Sequence, residues 1–230
     1  MAPLIQFGRR WFNRWTAAVF STILALVIFH AQLARGLAVG LVSDQRTGTS
    51  THALVVDGDR CFDEAARLLR TRECQQALCF GWRQKRLETL NVLPDASELS
   101  RREFANRSIP DENVVFLRDE PAGPWGVARM LDRWLAEHSG ANVVVLCERF
   151  DSGLYAYVCD QQVARDRRWR VAIRALPDRR FDEGNWWKCR LGIRCFFGAA
   201  LKQLYARLRG EDAVHTIDYD PDRYEARIFG

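Results

Sequence analysis

Short apolar runs alternate with amphipathic segments along most of this chain. Five runs have the length and composition of buried strands: His52–Val56, Gln76–Phe80, Asn113–Leu117, Asn142–Cys147 and Trp169–Ile173. Five other segments are predicted to be helices: Phe62–Leu69, Ser97–Asn106, Trp125–His138, Ser152–Ala164 and Asn185–Leu208. Strands that alternate with helices indicate a parallel sheet covered on both faces. With right-handed crossovers, the pattern predicts a three-layer, Rossmann-like α/β domain with a mainly parallel five-stranded sheet.

A further apolar run, Thr16 to Phe29, precedes this pattern. It follows Arg9, Arg10 and Arg14, and no acidic residue occurs before Asp44. This asymmetry predicts one N-terminal transmembrane helix, with the basic end in the cytoplasm and the later residues outside the cell membrane. The run alone has the length of a signal-peptide core, and its extension through Ala34 has the length of a spanning helix. A retained single-pass anchor is the prediction, and a cleaved signal or a buried soluble helix are the alternatives.

The predicted organisation has five parts. They are a basic cytoplasmic N-terminus (1–15), a transmembrane or signal-anchor segment (16–42), a linker (43–50), the α/β domain (51–210) and a C-terminal tail (211–230). The chain of 230 residues is long enough for one such domain with a substantial core. Its net charge of +5 is spread out rather than clustered, so no nucleic-acid partner is expected.

The seven cysteines include no Cys-x-x-Cys pair, and none of the four histidines lies beside them. This spacing argues against a zinc site, and no metal is predicted. Cys79 and Cys147 lie in apolar runs and are expected to be small core residues. One disulfide is conceivable in an oxidising compartment, between Cys189 and Cys195 or between Cys74 and Cys79.

Charged or glycine-containing turns follow the predicted strands. In open parallel sheets, ligands bind beyond the carboxyl ends of the strands. The residues predicted to bind a polar or anionic ligand there are Asp57, Gly58, Asp59, Arg60, Gly81, Glu148 and Asp151. Because loops are polar in any case, solvated turns are the alternative interpretation.

Asp57-Gly58-Asp59 is the most distinctive of these turns. Two carboxylates beside a strand end can hold a divalent cation or act as an acid/base pair, and Asp151 is a further catalytic candidate. The other interpretation is a plain turn in which Asp59 caps the next helix. Ser152 lacks a Gly-x-Ser-x-Gly context, which argues against a serine hydrolase.

The last predicted helix opens with Asn185-Trp186-Trp187, and Asn185 is expected to be its N-cap. Basic residues accompany an apolar stripe along this helix. Trp186 suits sugar stacking, and the helix as a whole suits contact with lipid headgroups. Packing against the core is the alternative.

Several of these segments together resemble the YdcF/SanA/ElyC-like family, a domain of unknown function. The first turn, Val55 to Arg60, the Phe80-Gly81-Trp82 turn and Ser108-Ile109-Pro110 are similar to family motifs, as are the region around Phe150 and the segment from Leu176 through Trp187. The resemblance implies a membrane-anchored, Rossmann-like domain that faces the bacterial cell envelope. Phe80, Trp82 and Asp151 replace the Ser, Gly and His of the family pattern, which implies a degenerate active site.

The sequence therefore predicts a membrane-anchored domain with a cell-envelope role that binds a polar or anionic ligand in the strand-end crevice. One alternative is an enzyme that acts on an envelope precursor with a carboxylate acid/base pair. A second is an interaction module that docks through the Trp186-Trp187 helix. The sequence does not identify a cofactor.

Overall fold

The computed structural model describes residues 16, 19–22, 29–45, 50–56, 58–81, 96–119 and 121–210. Its strands are β1 (His52–Val55), β2 (Gln76–Phe80), β3 (Val114–Leu117), β4 (Val143–Glu148) and β5 (Val171–Leu176). The helices are α1 (29–39), α2 (Asp59–Arg70), α3 (Ala96–Asn106), α4 (Gly123–Glu137), α5 (Ser152–Gln162) and α6 (Arg190–Arg209).

The five strands form one sheet in the order β3-β2-β1-β4-β5, and every neighbouring pair is parallel. Alternate residues of each strand face opposite sides, because the side-chain period of a strand is two. In β1, Ala53 and Val55 pack in a core with α2 and α3, whereas Leu54 packs in a second core with α4 and α5. The predicted parallel α/β sandwich is confirmed.

Two boundaries differ from the sequence prediction for identifiable reasons. Trp169 and Arg170 form a 3-10 turn before β5 rather than its first residues. The buried Arg170 guanidinium donates hydrogen bonds to the carbonyls of Leu135, His138 and Ala141, at and just beyond the end of α4. The Leu135 carbonyl belongs to the last turn of the helix, where carbonyls lack partners within the helix, so the arginine satisfies a group that otherwise needs water.

The final helix begins five residues later than its predicted cap. Trp186–Lys188 form a separate 3-10 turn, and α6 begins at Arg190. The prediction that Asn185 caps this helix is wrong: Cys189 is the N-cap, and its Sγ accepts a hydrogen bond from the Gly192 N–H. Gly192 allows the close approach, because a Cβ at this position would lie 2.4 Å from the Trp186 carbonyl oxygen.

A third cluster joins the N-terminal segment to α6. Ala38 and Leu41 are buried there with Trp186 and Phe196. Residues 29–42, which belong to the predicted membrane segment, thus pack in part against the α/β domain. Of the helices in the described ranges, none has both the length and the hydrophobicity of a membrane span. Residues 23–28 of the apolar run, like the tail 211–230, lie outside the described residues.

The chain after α1 is attached to the start of α5. The buried Ser152 Oγ accepts a hydrogen bond from the Ser43 N–H at 2.9 Å and donates one to the Arg149 carbonyl at 2.6 Å. The Gly153 N–H donates to the Leu41 carbonyl at 2.9 Å. Ser152 therefore has a structural role.

Gly153→Ala is expected to destabilise the protein because a Cβ at this position lies 2.3 Å from the Leu41 carbonyl oxygen. Displacement of the N-terminal segment is expected to lower the free energy of unfolding by about 1–3 kcal/mol. Gly198→Ala in α6 is the matched control, because no heavy atom lies within 4 Å of its added Cβ. The control is expected to be neutral or stabilising by up to about 1 kcal/mol. Chemical denaturation of the detergent-solubilised chain measures both, and equal effects would contradict the proposed attachment.

Candidate functional site

The strand order of the sheet reverses between β1 and β4. From β1 the chain runs outward through β2 to β3, and it returns to β4 on the other side of β1 before continuing to β5. A crevice forms outside the carboxyl ends of strands at such a switch point. Here a cavity of about 630 Å³ lies at this position, bounded by the end of β4, the first turn of α2, the loop after β5 and one face of α6.

Seven charged side chains line the cavity. Four are basic and three are acidic: Arg60, Arg149, Arg194, Lys202, Glu148, Asp151 and Asp178. The rest of the lining is largely apolar, with Val56 and Phe150 deep at the strand ends. An apolar floor with a few charged groups is the usual construction of a small-ligand site.

Arg60 connects three segments of the crevice wall. It lies in the first turn of α2, and its Nη2 contacts Glu148 Oε1 at 2.5 Å. Its Nη1 contacts Asp178 Oδ2 at 3.0 Å and the Pro177 carbonyl oxygen at 3.2 Å. One guanidinium thus holds the helix start, the end of β4 and the loop after β5 together.

Two other ion pairs involve side chains that line the cavity. Lys202 Nζ of α6 lies 3.3 Å from Asp151 Oδ1, and Arg149 Nε lies 2.6 Å from Glu183 Oε1. Each of the three lining carboxylates therefore already has a cationic partner. Arg194 differs, because no carboxylate in the described part of the chain forms an ion pair with it. Its exposed guanidinium is an open positive charge at the cavity mouth.

Only some of the predicted site residues share this cavity. Arg60, Glu148 and Asp151 do line one cavity. Gly58 lies at its edge, where a Cβ would be 3.9 Å from Glu148 Oε1, but Asp59 is exposed and absent from the lining. Asp57 lies outside the described residues.

Gly81 serves packing rather than the crevice. It is buried, and a Cβ at this position would lie 2.7 Å from the Cβ of Ala96 at the start of α3. The prediction that Asp59 caps α2 is also wrong. The helix begins at Asp59 itself, and Gly58, with a φ of 80°, is the N-cap and provides no side-chain cap.

Sequence reasoning missed the contribution of α6. Arg194 and Lys202 looked like a solvated basic face beside an apolar stripe, and only their spacing of two helical turns pointed to a common surface. Asp178, in the loop after β5, was not among the predicted site residues. Its approach to Arg60 depends on how the loop after β5 folds back across the strand ends.

The nucleophilic side chains near the crevice are poorly suited to attack. Burial, followed by the nearby Glu148 and Asp178 carboxylates, raises the pKa of the Cys195 thiol, which favours the unreactive neutral form. All seven cysteines lie in the described part of the chain and none forms a disulfide there, so neither disulfide considered from the sequence forms. Cys79 and Cys147 are buried core residues, as predicted.

Asp178 makes the stability of the folded protein depend on pH. Hydrogen bonds from the Arg180 side chain, and then the charge of Arg60, lower the pKa of Asp178 to about 2. A carboxyl with a folded pKa below its unfolded value of about 3.9 stabilises the protein fully above pH ~4 and loses that contribution as pH falls through the folded value.

Asp178→Asn is therefore expected to lower the free energy of unfolding by about 1–2 kcal/mol at pH 7. The difference from the unaltered chain should shrink as pH falls from about 4 to 2. Urea denaturation across this range measures it. Asp166→Asn, at a side chain that is 73% exposed, makes the same chemical change and should show little of either effect. Parallel pH curves for the two variants would contradict this role of Asp178.

No protein-family profile, no curated protein and no solved structure matches this chain. The crevice itself carries the functional interpretation. Its position at the switch point, its paired carboxylates and the open charge of Arg194 are the features with chemical meaning.

Proposed function

We propose that this chain is a membrane-anchored domain of the YdcF/SanA/ElyC-like kind, which binds a polar, anionic ligand in the strand-end crevice and acts in the cell envelope. The N-terminal charge pattern supports the anchor, and the motif resemblance supports the envelope role. The crevice supports the ligand class, and its chemistry is consistent with a binding site that has no active catalytic set.

The observation that carries the ligand class is Arg194. Every carboxylate that lines the cavity is neutralised by a cation, whereas Arg194 has no carboxylate partner among the described residues. An anion entering the cavity can therefore pair with Arg194 without displacing an existing partner. A guanidinium also matches the geometry of phosphate and carboxylate groups, since it donates two parallel hydrogen bonds.

The start of α2 adds a second positive influence. Helix N-termini carry a partial positive charge and unpaired N–H groups, and Gly58 lets the backbone approach a ligand closely. Glu148 already occupies the space beside Gly58. We therefore place the anionic group of the ligand nearer to α6, between Arg194 and Lys202.

An enzyme with a carboxylate acid/base pair is the second candidate, with Glu148 as the partner of Asp151 instead of Asp57 or Asp59, since Asp59 does not line the cavity. Glu148 and Asp151 line the same cavity, which favours it. However, Glu148 is bound to Arg60 and Asp151 to Lys202. Proton transfer by either carboxylate needs that pair to open first, so ligand binding is the better-supported function.

Arg194→Gln is expected to weaken the binding of inorganic pyrophosphate about tenfold, because it removes a charge-assisted contact worth roughly 1.4 kcal/mol. The affinity can be measured by calorimetry on the full chain in detergent. Arg190→Gln is the matched control: it makes the same change on the same helix, but Arg190 does not line the cavity. The control should bind pyrophosphate as the unaltered chain does.

Two results would contradict the proposed ligand class. Equal weakening in both variants would show that pyrophosphate responds only to the overall charge of α6. The absence of binding by the unaltered chain at about 10 mM pyrophosphate, where even a millimolar site is mostly filled, would remove the anion site itself.

Asp151→Asn is expected to strengthen pyrophosphate binding several-fold, because it removes a negative charge from the cavity and frees Lys202 to contact the anion. Asp160→Asn is the control and should leave the affinity unchanged. Asp160 lies on α5 and forms a solvent-exposed ion pair with Arg168, away from the cavity. Weaker binding by Asp151→Asn would mean that this carboxylate itself contacts the ligand. Such a result would favour the enzyme candidate.

A further inference from the structure

The outer face of α6 is apolar and uncovered. Five of its aliphatic and phenylalanine side chains are between 40% and 77% exposed: Ile193, Phe197, Leu201, Leu204 and Leu208. They recur every three or four residues and therefore form one row along the helix. A row of this length on a soluble surface marks a contact site rather than scattered exposure.

A second exposed row lies on the neighbouring helix α1. It consists of Phe29, Leu33 and Leu37, each more than half exposed. Trp186 joins the two helices: its Nε1 donates to the Ala34 carbonyl at 3.0 Å, and its ring stacks on Phe196 at 3.8 Å. The edge contact of Trp186 with Phe197 brings this junction to the exposed row of α6. The two rows together are called the apolar face below.

The charges around the apolar face identify what covers it. Helix α6 contains five basic residues and no acidic one: Arg190, Arg194, Lys202, Arg207 and Arg209. An apolar row on a helix whose own charged residues are all basic matches a membrane surface with anionic headgroups. A second copy of the chain would instead bring these positive charges against their own kind, which disfavours self-association through this face.

Continuity of the chain points to the same partner. The exposed row of α1 begins at Phe29, where the apolar run that starts at Thr16 ends. If that run enters the bilayer, the apolar face lies directly beside the point of entry.

We propose that the apolar face rests on an anionic lipid bilayer, with α1 and α6 in the headgroup layer. The inference depends on the proposed membrane anchor and adds a second, peripheral contact that orients the domain.

This orientation has a consequence for the crevice. Arg194, Gly198 and Lys202 line the cavity, and they occupy a row about 100° around α6 from the row of Phe197 and Leu201. The cavity therefore opens beside the bilayer, with its two α6 cations at the level of lipid phosphates. An anionic ligand carried by a lipid would reach Arg194 without leaving the headgroup layer.

Hydroxyl-radical footprinting of the full chain in lipid nanodiscs tests the proposal. The discs contain phosphatidylglycerol and phosphatidylcholine, with one chain per disc. Phe197 and Trp169 are 60% and 68% exposed, so an uncovered face predicts nearly equal labelling after correction for intrinsic reactivity. Trp169 lies in the turn before β5, at the amino end of the sheet, and serves as the internal control. We expect Phe197, Leu201 and Leu208 to be labelled about fivefold less than Trp169.

The alternative outcomes separate the two proposals. If the chain enters the discs and Phe197 is labelled like Trp169, the anchor stands and the bilayer contact is overturned. If the chain does not enter the discs, both fail. Protection that appears only with two chains per disc assigns the face to a second copy. Protection that disappears on deletion of residues 211–230 assigns it to the tail, and either result overturns the bilayer contact.

Discussion

The architecture of the candidate site depends on Arg60. Its guanidinium binds Glu148 at the end of β4 and Asp178 in the loop after β5, while its backbone belongs to the first turn of α2. These three segments are far apart in sequence. The parallel sheet places the strand ends from which they leave at one edge, but it does not fix how the segments meet there. The ion pairs hold the wall of the crevice in one arrangement. Together with Arg180, which also pairs with Asp178, Arg60 offsets the charge of two carboxylates that would otherwise repel an anion.

The opposite wall comes from outside the conventional sandwich. Helix α6 crosses the strand ends and contributes Arg194 and Lys202, and it is held there by the cluster of Trp186, Phe196 and the segment that follows α1. Because Ser43 and Leu41 bond to the start of α5, the N-terminal segment is part of the folded domain. The predicted membrane-proximal segment and the ligand crevice are thus connected through one helix, which gives the proposed membrane contact a physical route to the site.

The three faces of α6 explain why basic residues and exposed apolar residues coexist in this helix. One face of α6 lines the cavity, a second packs through Phe196 and Ala199, and a third remains apolar and open. The sequence analysis treated these three faces as one apolar stripe accompanied by basic residues. Leu204 is in fact 54% exposed, while Gln203 is buried beside it. A helix whose three faces meet a cavity, a core and open surface shows no single hydrophobic direction, so periodicity could not separate the faces.

The sequence by itself determined the sheet. Short buried runs such as Gln76–Phe80 have few alternatives to a parallel strand when helices separate them, and their carboxyl ends necessarily share one edge. It also placed Arg60, Glu148 and Asp151 at that edge. Only the tertiary structure decided which residues at that edge face the cavity. Gly81 follows β2 there but packs against α3, and Asp59 begins α2 there but is exposed to solvent. The path of the loop after β5 and the position of α6 across the strand ends depend on contacts between residues far apart in sequence. Local sequence patterns do not predict such contacts.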